Sequence, residues 1–247
     1  MGNEPKILFF DIETSHNIVA SFQLKVDSGY LPHQNILKER FILAAAWKEL
    51  GAKPKATLSG KTLDGDDLPL CISLHDALCD ADIAIAHNGD RFDFPFLEAR
   101  CLHHGLKPLP PIVKIDTLKI ARRHFKFNSN RLDYLGQFLG VGQKQHVGNE
   151  DWLAALQGNV QAINKLAKYN IEDVLLLERV FNKLKPYVSA RLSNRPHHCS
   201  RCGSKRTIWR GTRRTKVGVY PRSQCQDCGG WDTLGRALET FEIRPAL

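Results

Sequence analysis

Apolar and polar positions in this chain switch between two periods. Residues 6–10 (KILFF) and 83–86 (IAIA) are short unbroken apolar runs, the pattern of strands buried on both faces. Residues 41–47, 55–58 and 112–115 read as further strands. Elsewhere the apolar residues recur at helical spacing. They predict helices over 68–78, from Phe92 onward (with Phe96, Leu97, Ala99 and Leu102 on one face), over 117–125 and 131–139, and along 160–184. Strands first, then strand–helix alternation, predict an α/β fold with a mixed sheet covered by helices. The polar, proline-terminated stretch 191–196 reads as a linker, which divides the chain into a main domain, 1–190, and a small unit, 197–247.

Composition agrees with that division. A chain of 247 residues that is 43% hydrophobic suits one sizeable core with an appendage. No apolar stretch approaches a membrane span, and the first apolar run is too short for a signal peptide. A cytoplasmic protein without a membrane partner is the expectation. No glycine-rich phosphate loop and no internal repeat is present. The net charge of +9 is unevenly spread. Residues 191–247 hold 12 basic and 4 acidic side chains, against 23 and 22 in the rest.

The basic unit contains two C-x-x-C-G sequences, Cys199/Cys202 and Cys225/Cys228. Two such knuckles separated by a hairpin-length insert point to a four-cysteine zinc ribbon holding one structural Zn²⁺. A glycine after each pair permits the tight turn that aims the sulfurs at one ion. So small a segment buries too little apolar surface to fold unaided, and the metal supplies the difference. Disulfides are the competing reading, disfavoured in the absence of a secretory signal. His197 and His198 are reserve ligands, although four cysteines already close a tetrahedral site. Cys71, Cys79 and Cys101 fall in helical patterns and are expected to be buried thiols. Between the knuckles, Arg206, Arg210, Arg213, Arg214 and Lys216 interleave with Trp209 and Tyr220. Cations for phosphates and rings for base stacking are the chemistry of nucleic-acid binding.

Four acids sit in patterns of their own. Asp11 and Glu13 end the first predicted strand, and side chains two apart on a strand share a face. Asp93 follows the IAIA strand near a helix start, where a carboxylate suits the helix dipole. Tyr169 and Asp173 are four apart in the 160–184 helix and project from one side. Each pattern alone has a plain structural reading: a solvated strand end, a helix-start acid, or a tyrosine at a core boundary. Converged carboxylates are what Mg²⁺ or Mn²⁺ requires.

Their order is informative. Asp11-Ile12-Glu13, then Asn88-Gly89-Asp90-Arg91-Phe92-Asp93, then Tyr169-x-x-x-Asp173 resembles the signature of the DEDDy family of 3′–5′ exonucleases. The words HNGDRFDFP are closest to the proofreading domains of family-B DNA polymerases, and the resemblance covers about residues 5–188. It implies a ribonuclease-H-like sheet order and a site for two ions, Mg²⁺ or Mn²⁺. By resemblance Asp11, Glu13 and Asp173 bind the ion that activates water, Asp11 bridges to the second, and Asp93 acts through coordinated water. Tyr169 orients the nucleophilic water; a phenol with a pKa near 10 is a poor base at neutral pH. Asn88 and Phe92 hold the terminal nucleotide, with Thr14 and His87 as neighbouring substrate contacts.

Lys144-x-x-Val147 fits a lysine motif of protein-primed family-B polymerases, so Lys144 is either a phosphate-stabilising cation or a solvated loop residue. Asp116 is expected to cap the helix from Thr117, and Asp133 and Glu172 to be surface acids. The preferred function is a stand-alone 3′–5′ exonuclease on DNA, with replication or repair proteins as candidate partners. RNA is the alternative substrate, and a non-catalytic nucleic-acid-binding adaptor the alternative class. The sequence carries no signal of oligomeric state.

Overall fold

In the computed structural model the strand that begins at Ile7 outlasts its apolar run: β1 spans Ile7–Thr14 and so contains both Asp11 and Glu13. The structure describes residues 4–22, 29–58, 66–145, 147–195 and 198–241. His197, a reserve ligand by sequence, lies outside them. The chain forms two units. One comprises Lys6–Lys119 and Asn128–Val180, the other Met1–Pro5, Ile120–Phe127 and Phe181–Leu247.

The first unit is built on β1, β2 (Ile18–Val19), β3 (Ile36–Lys38), β4 (Ile42–Glu49), β5 (Lys55–Leu58), β6 (Ile83–Ala86) and β7 (Val113–Asp116). Its helices are α1 (Leu68–Cys79), α2 (Asp93–His103), α4 (Leu132–Phe138) and α5 (Asn149–Leu156). Two more, α3 (Thr117–His124) and α6 (Val160–Leu184), begin here and end in the second unit. The main sheet has the order β5-β4-β1-β6-β7. β4 runs antiparallel to both β1 and β5, whereas β6 and β7 run parallel to β1. This is the mixed, helix-flanked sheet of the ribonuclease-H-like type.

β1 is central, hence its apolar character on both faces. Leu8, Phe10 and Ile12 pack with Leu74 and Leu78 of α1 and Phe94 and Leu97 of α2. Strand alternation sends Ile7, Phe9, Asp11 and Glu13 to the opposite face. Phe41 and Leu43 pack there with Ala155 and Leu156 of α5 and Ala162 and Leu166 of α6. Phe9, Phe10, Phe41 and Phe94 are fully buried, at about 1.5–3 kcal/mol of transfer free energy each.

The structure departs from two sequence expectations, at Cys79 and Asp133, and adds one helix. Cys71 and Cys101 are buried, but Cys79 is exposed. It lies one position past Leu78 on α1, about 100° round from the inward line of Cys71, Leu74 and Leu78. α5 was not anticipated, because 8 residues give barely two turns of periodicity. Asp133 is no free surface acid: it is half-buried and accepts the Lys144 amide at 2.7 Å and Gln137 Nε2 at 2.8 Å. Asp116 caps α3 as expected, accepting the Leu118 amide at 2.9 Å, and also holds the Asn88 amide at 2.9 Å.

The second unit is organised by β9 (Gly218–Cys225), which pairs antiparallel with β8 (Thr207–Arg214), β10 (Trp231–Thr233) and β11 (Glu239–Thr240). Leu192 and Ser193, within the stretch read as a linker, are buried, and both amides donate to the Ser200 carbonyl. Among the described residues of 198–241, Cys199 and Cys225 are the buried apolar side chains. The sheet therefore has almost no hydrocarbon core.

Candidate active site

The two β1 acids meet the one on α6. Carboxylate oxygens of Asp11, Glu13 and Asp173 all lie within 4.8 Å of one another. β1 supplies the first two from one face. The register sets Asp11 opposite Ala46 and Glu13 opposite Ala44, so only methyl groups flank the acids on that side. The pairing slips between Glu13 and Thr14, an irregularity of the kind that re-aims side chains at strand ends.

Asp93 stands at the first position of α2 and is buried. β6 accompanies β1 only as far as Phe9, and beyond it Asp93 Oδ1 accepts the Ile12 amide at 3.2 Å. Asp93 is thus tied to the strand that carries Asp11 and Glu13, yet stands outside the 4.8 Å cluster that these form with Asp173.

Lys144 and Asn170 complete the surroundings. The Lys144 ammonium lies 2.5 Å from Asp173 Oδ2 and 3.3 Å from the Tyr169 hydroxyl, and 5.2 Å from the centroid of that ring. Its side chain is thus turned toward the acids rather than into solvent. Asn170, which sequence reasoning missed, is fully buried and donates Nδ2 to Asp11 Oδ2 at 2.7 Å. Its signal was its place three residues before Asp173, on the same side of α6.

The electrostatics are those of an under-neutralised site. Burial, followed by repulsion from Glu13, Asp93 and Asp173, drives the Asp11 carboxyl well above its usual range. Burial and Asp173 push Glu13 up to about 8. Burial pushes Asp93 up to about 7, against the pull of its amide hydrogen bonds. Asp173 is also raised by burial, with Lys144 and Tyr169 opposing. Burial lowers the Lys144 ammonium, but Asp173 and Asp11 more than offset this and hold it above its ordinary value. Tyr169 is pushed up to about 12 by burial and Asp173. Asp173 Oδ1 is buried with no hydrogen-bond partner among the described residues. An all-oxygen donor set, mutual repulsion and an orphaned carboxylate oxygen fit a hard divalent cation.

An open groove of about 540 Å³ begins at Glu13 and Thr14 and continues past His16, Asn17, Arg40 and Trp152. Of the expected substrate contacts, Thr14 lines this groove. His87, Asn88 and Phe92 lie on the β6–α2 turn. Asn88 adopts the left-handed φ of 68° that asparagine tolerates. Phe92 packs at 6.0 Å from Phe96. Both His87 ring nitrogens are engaged, Nδ1 with Thr117 Oγ1 at 2.8 Å and Nε2 with the Asn130 carbonyl at 2.9 Å.

The second unit gathers Cys199, Cys202, Cys225 and Cys228, with their sulfurs within 4.8 Å of one another. Sγ–Sγ separations are 3.7 Å for Cys199–Cys228 and 3.6 Å for Cys202–Cys225. A tetrahedron with Zn–S near 2.3 Å has edges of about 3.8 Å, so the set is compatible with a zinc ribbon. The two knuckles match: Gly203 and Gly229 both have φ of 74° and donate their amides to the carbonyls of Cys199 and Cys225. Trp209, Arg210, Arg213 and Arg214 lie on β8, Tyr220 on β9 and Lys216 in the turn between them.

Fold and site together define a ribonuclease-H-like domain with a metal-ready acidic centre. The family model described as the RNase_H superfamily matches residues 8–185, and the chain belongs to that superfamily. Among solved structures it is similar to the family B DNA polymerase of the hyperthermophilic archaeon Pyrobaculum calidifontis. The TM-score is 0.57 at 16% identity, covering 74% of this chain and 25% of the polymerase. The chain thus spans about a quarter of that protein's length. No curated protein matches it by sequence. The fold is that of nucleases. No helix among the described residues is long and apolar enough to cross a membrane.

Proposed function

We propose that the protein is a metal-dependent 3′–5′ exonuclease of the DEDDy type that removes nucleoside monophosphates from DNA, and that its zinc ribbon grips the nucleic acid. The observation that carries this reading is the convergence of Asp11, Glu13 and Asp173 within 4.8 Å, with Asp173 Oδ1 left without a hydrogen-bond partner among the described residues. Asp11, Glu13 and Asp173, with Asp93 beside them, would hold two ions, Mg²⁺ or Mn²⁺, which when bound would lower the pKa of a water and neutralise charge on the phosphate.

The protein's own groups do the rest. Tyr169, a phenol whose ordinary pKa near 10 makes it a poor base at neutral pH, orients the attacking water rather than taking its proton. Lys144 stays charged and provides a fixed cation for the scissile phosphate. Asn170 fixes the orientation of Asp11, and the Ile12 amide that of Asp93. The groove from Glu13 to Trp152 gives the strand a polar path away from the acids, with Arg40 available to its phosphates. The choice of DNA rests on the likeness to a DNA polymerase.

The test is degradation of 3′- and 5′-labelled DNA and RNA, single- and double-stranded, with Mg²⁺ or Mn²⁺. Wild type is compared with Asp11→Ala and Asp173→Ala. Stepwise loss from the 3′ end, abolished by either substitution, is the expected result. Activity surviving both refutes the site, preference for RNA makes the protein an exoribonuclease, and no hydrolysis of any polymer makes it an adaptor.

A further inference from the structure

The basic residues of the ribbon do not form one patch. In antiparallel pairs, directly opposed residues share a face, and faces alternate along each strand. β8 opposes Trp209 to Ser223 but Thr212 to Pro221, so Arg210 and Gly211 form a bulge, with Gly211 at a φ of 69°. The bulge resets the alternation. Arg213 falls opposite Tyr220 and shares a face with Arg222, Gln224 and Trp231, the last of these opposite Gln224 on β10. Trp209 and Arg214 fall on the reverse face with Ser223, Val219 and Asp232.

The acids sort the same way. Asp232, opposite Ser223, and Glu239, opposite Val219, lie on the reverse face, where Asp232 also accepts the Ser200 amide at 2.8 Å. Arg214 there stands 5.2 Å from the Phe241 ring. The Arg213–Tyr220–Arg222–Trp231 face carries no acid from any of the four strands. Its Arg222 guanidinium lies 4.7 Å over the Trp231 ring, and Nε donates to the Arg210 carbonyl at 2.9 Å. That stack is already built, and Trp231 is 43% exposed. Arg213 at one end is exposed, and no carboxylate of the four strands shares its face.

We infer that this one face of the ribbon is a binding platform for single-stranded nucleic acid. Bases stack on Tyr220 and on the Arg222–Trp231 pair while Arg213 takes a phosphate. Aromatic rings and guanidinium planes accept any base, but only one whose face is not already covered by a base-paired neighbour. A cationic, acid-free face suits the polyanion, whereas a duplex would meet its charge and leave the rings unused. The inference rests on the proposed grip of the ribbon on nucleic acid and adds which face, which residues and which strandedness. The sequence pattern groups Trp209 with Tyr220, whereas the strand register separates them and brings Arg222 and Trp231 beside Tyr220.

The experiment measures the affinity of the zinc-loaded protein, without Mg²⁺ or Mn²⁺, for oligo(dT) and oligo(U) of about 20 nucleotides and for a duplex of equal length. Trp231→Ala and Tyr220→Ala are each expected to weaken both single strands by about 5- to 100-fold. Trp231→Phe should recover most of that loss, and Trp209→Ala should cost less than either. Zinc content shows that the ribbon is intact in each variant. Single-strand affinity unchanged in zinc-loaded Trp231→Ala, an equal loss in Trp209→Ala, or an equal loss on duplex would overturn the inference. Hydrolysis is not read, so a protein that binds in this way but never cuts refutes only the nuclease. One that cuts but ignores Trp231→Ala refutes only the platform.

Discussion

The acidic centre and the cysteine cluster both gather side chains that could hold a metal ion, but they stand in opposite relation to the fold. Asp11, Glu13 and Asp173 are mounted on a central strand and a long helix, over clusters that bury Phe9, Phe10, Phe41 and Phe94. That scaffold holds the carboxylates together against their repulsion. In the ribbon the ligands themselves are the interior, since Cys199 and Cys225 are its buried apolar side chains among the described residues. The difference is one of direction: around the acids a packed fold brings the side chains together, whereas around the four cysteines so little apolar surface is buried that an ion held there would supply much of the local folding free energy.

The sharpest break between the two comes from removing one ligand on each side. Asp173→Asn keeps the shape and deletes the charge; hydrolysis should fall by at least about 10³-fold. Its thermal midpoint should hold or rise, because a repelling charge has gone. A variant that unfolds instead would deny that the core alone carries this site. Cys202→Ser, or chelation of zinc, should leave the first unit melting as before while 198–241 becomes susceptible to limited proteolysis. Degradation of long strands should suffer more than that of very short ones. Joint unfolding of both units would contradict the contrast.

Smaller effects sharpen it. Lys144→Met removes a fixed cation beside Asp173 and should lower the hydrolytic rate by about 10- to 100-fold with the fold unchanged. The least is a stability effect with a definite sign. Glu13, held up at about 8 in the folded state, ionises there far later than in the unfolded chain. Its contribution to stability is therefore complete below its unfolded value and is lost as pH rises through about 8. Without divalent cations the midpoint of wild type should decline from about pH 5 to about pH 8. Glu13→Gln should flatten that slope and melt about 2–4 °C higher at the alkaline end. A wild-type midpoint that rises over this range would reverse the electrostatic account.

How much was legible in the sequence followed the same division. Strands β5 and β6 and helix α6 were read to the residue, because strong apolar periods leave little choice of boundary. The acids could be named from their order along the chain, and the knuckles from Cys and Gly spacing. Long-range partners were not legible. Nothing local tells that Asn170 bonds Asp11, 159 positions away, or that Asp133 anchors the loop carrying Lys144. The faces of the ribbon were hidden for another reason: a bulge at Gly211 shifts side-chain parity by one, and counting along the sequence then sorts Arg213 and Trp209 wrongly.

If Asp11, Glu13 and Asp173 together hold the cations on which hydrolysis depends, the three acids must share one binding event. Calorimetric titration of Mn²⁺ into the zinc-loaded protein tests it most directly, with Asp11→Asn and Asp173→Asn measured alongside. Saturable binding to wild type that either substitution abolishes or weakens at least about tenfold is the predicted result. Binding of equal strength in all three proteins would contradict it.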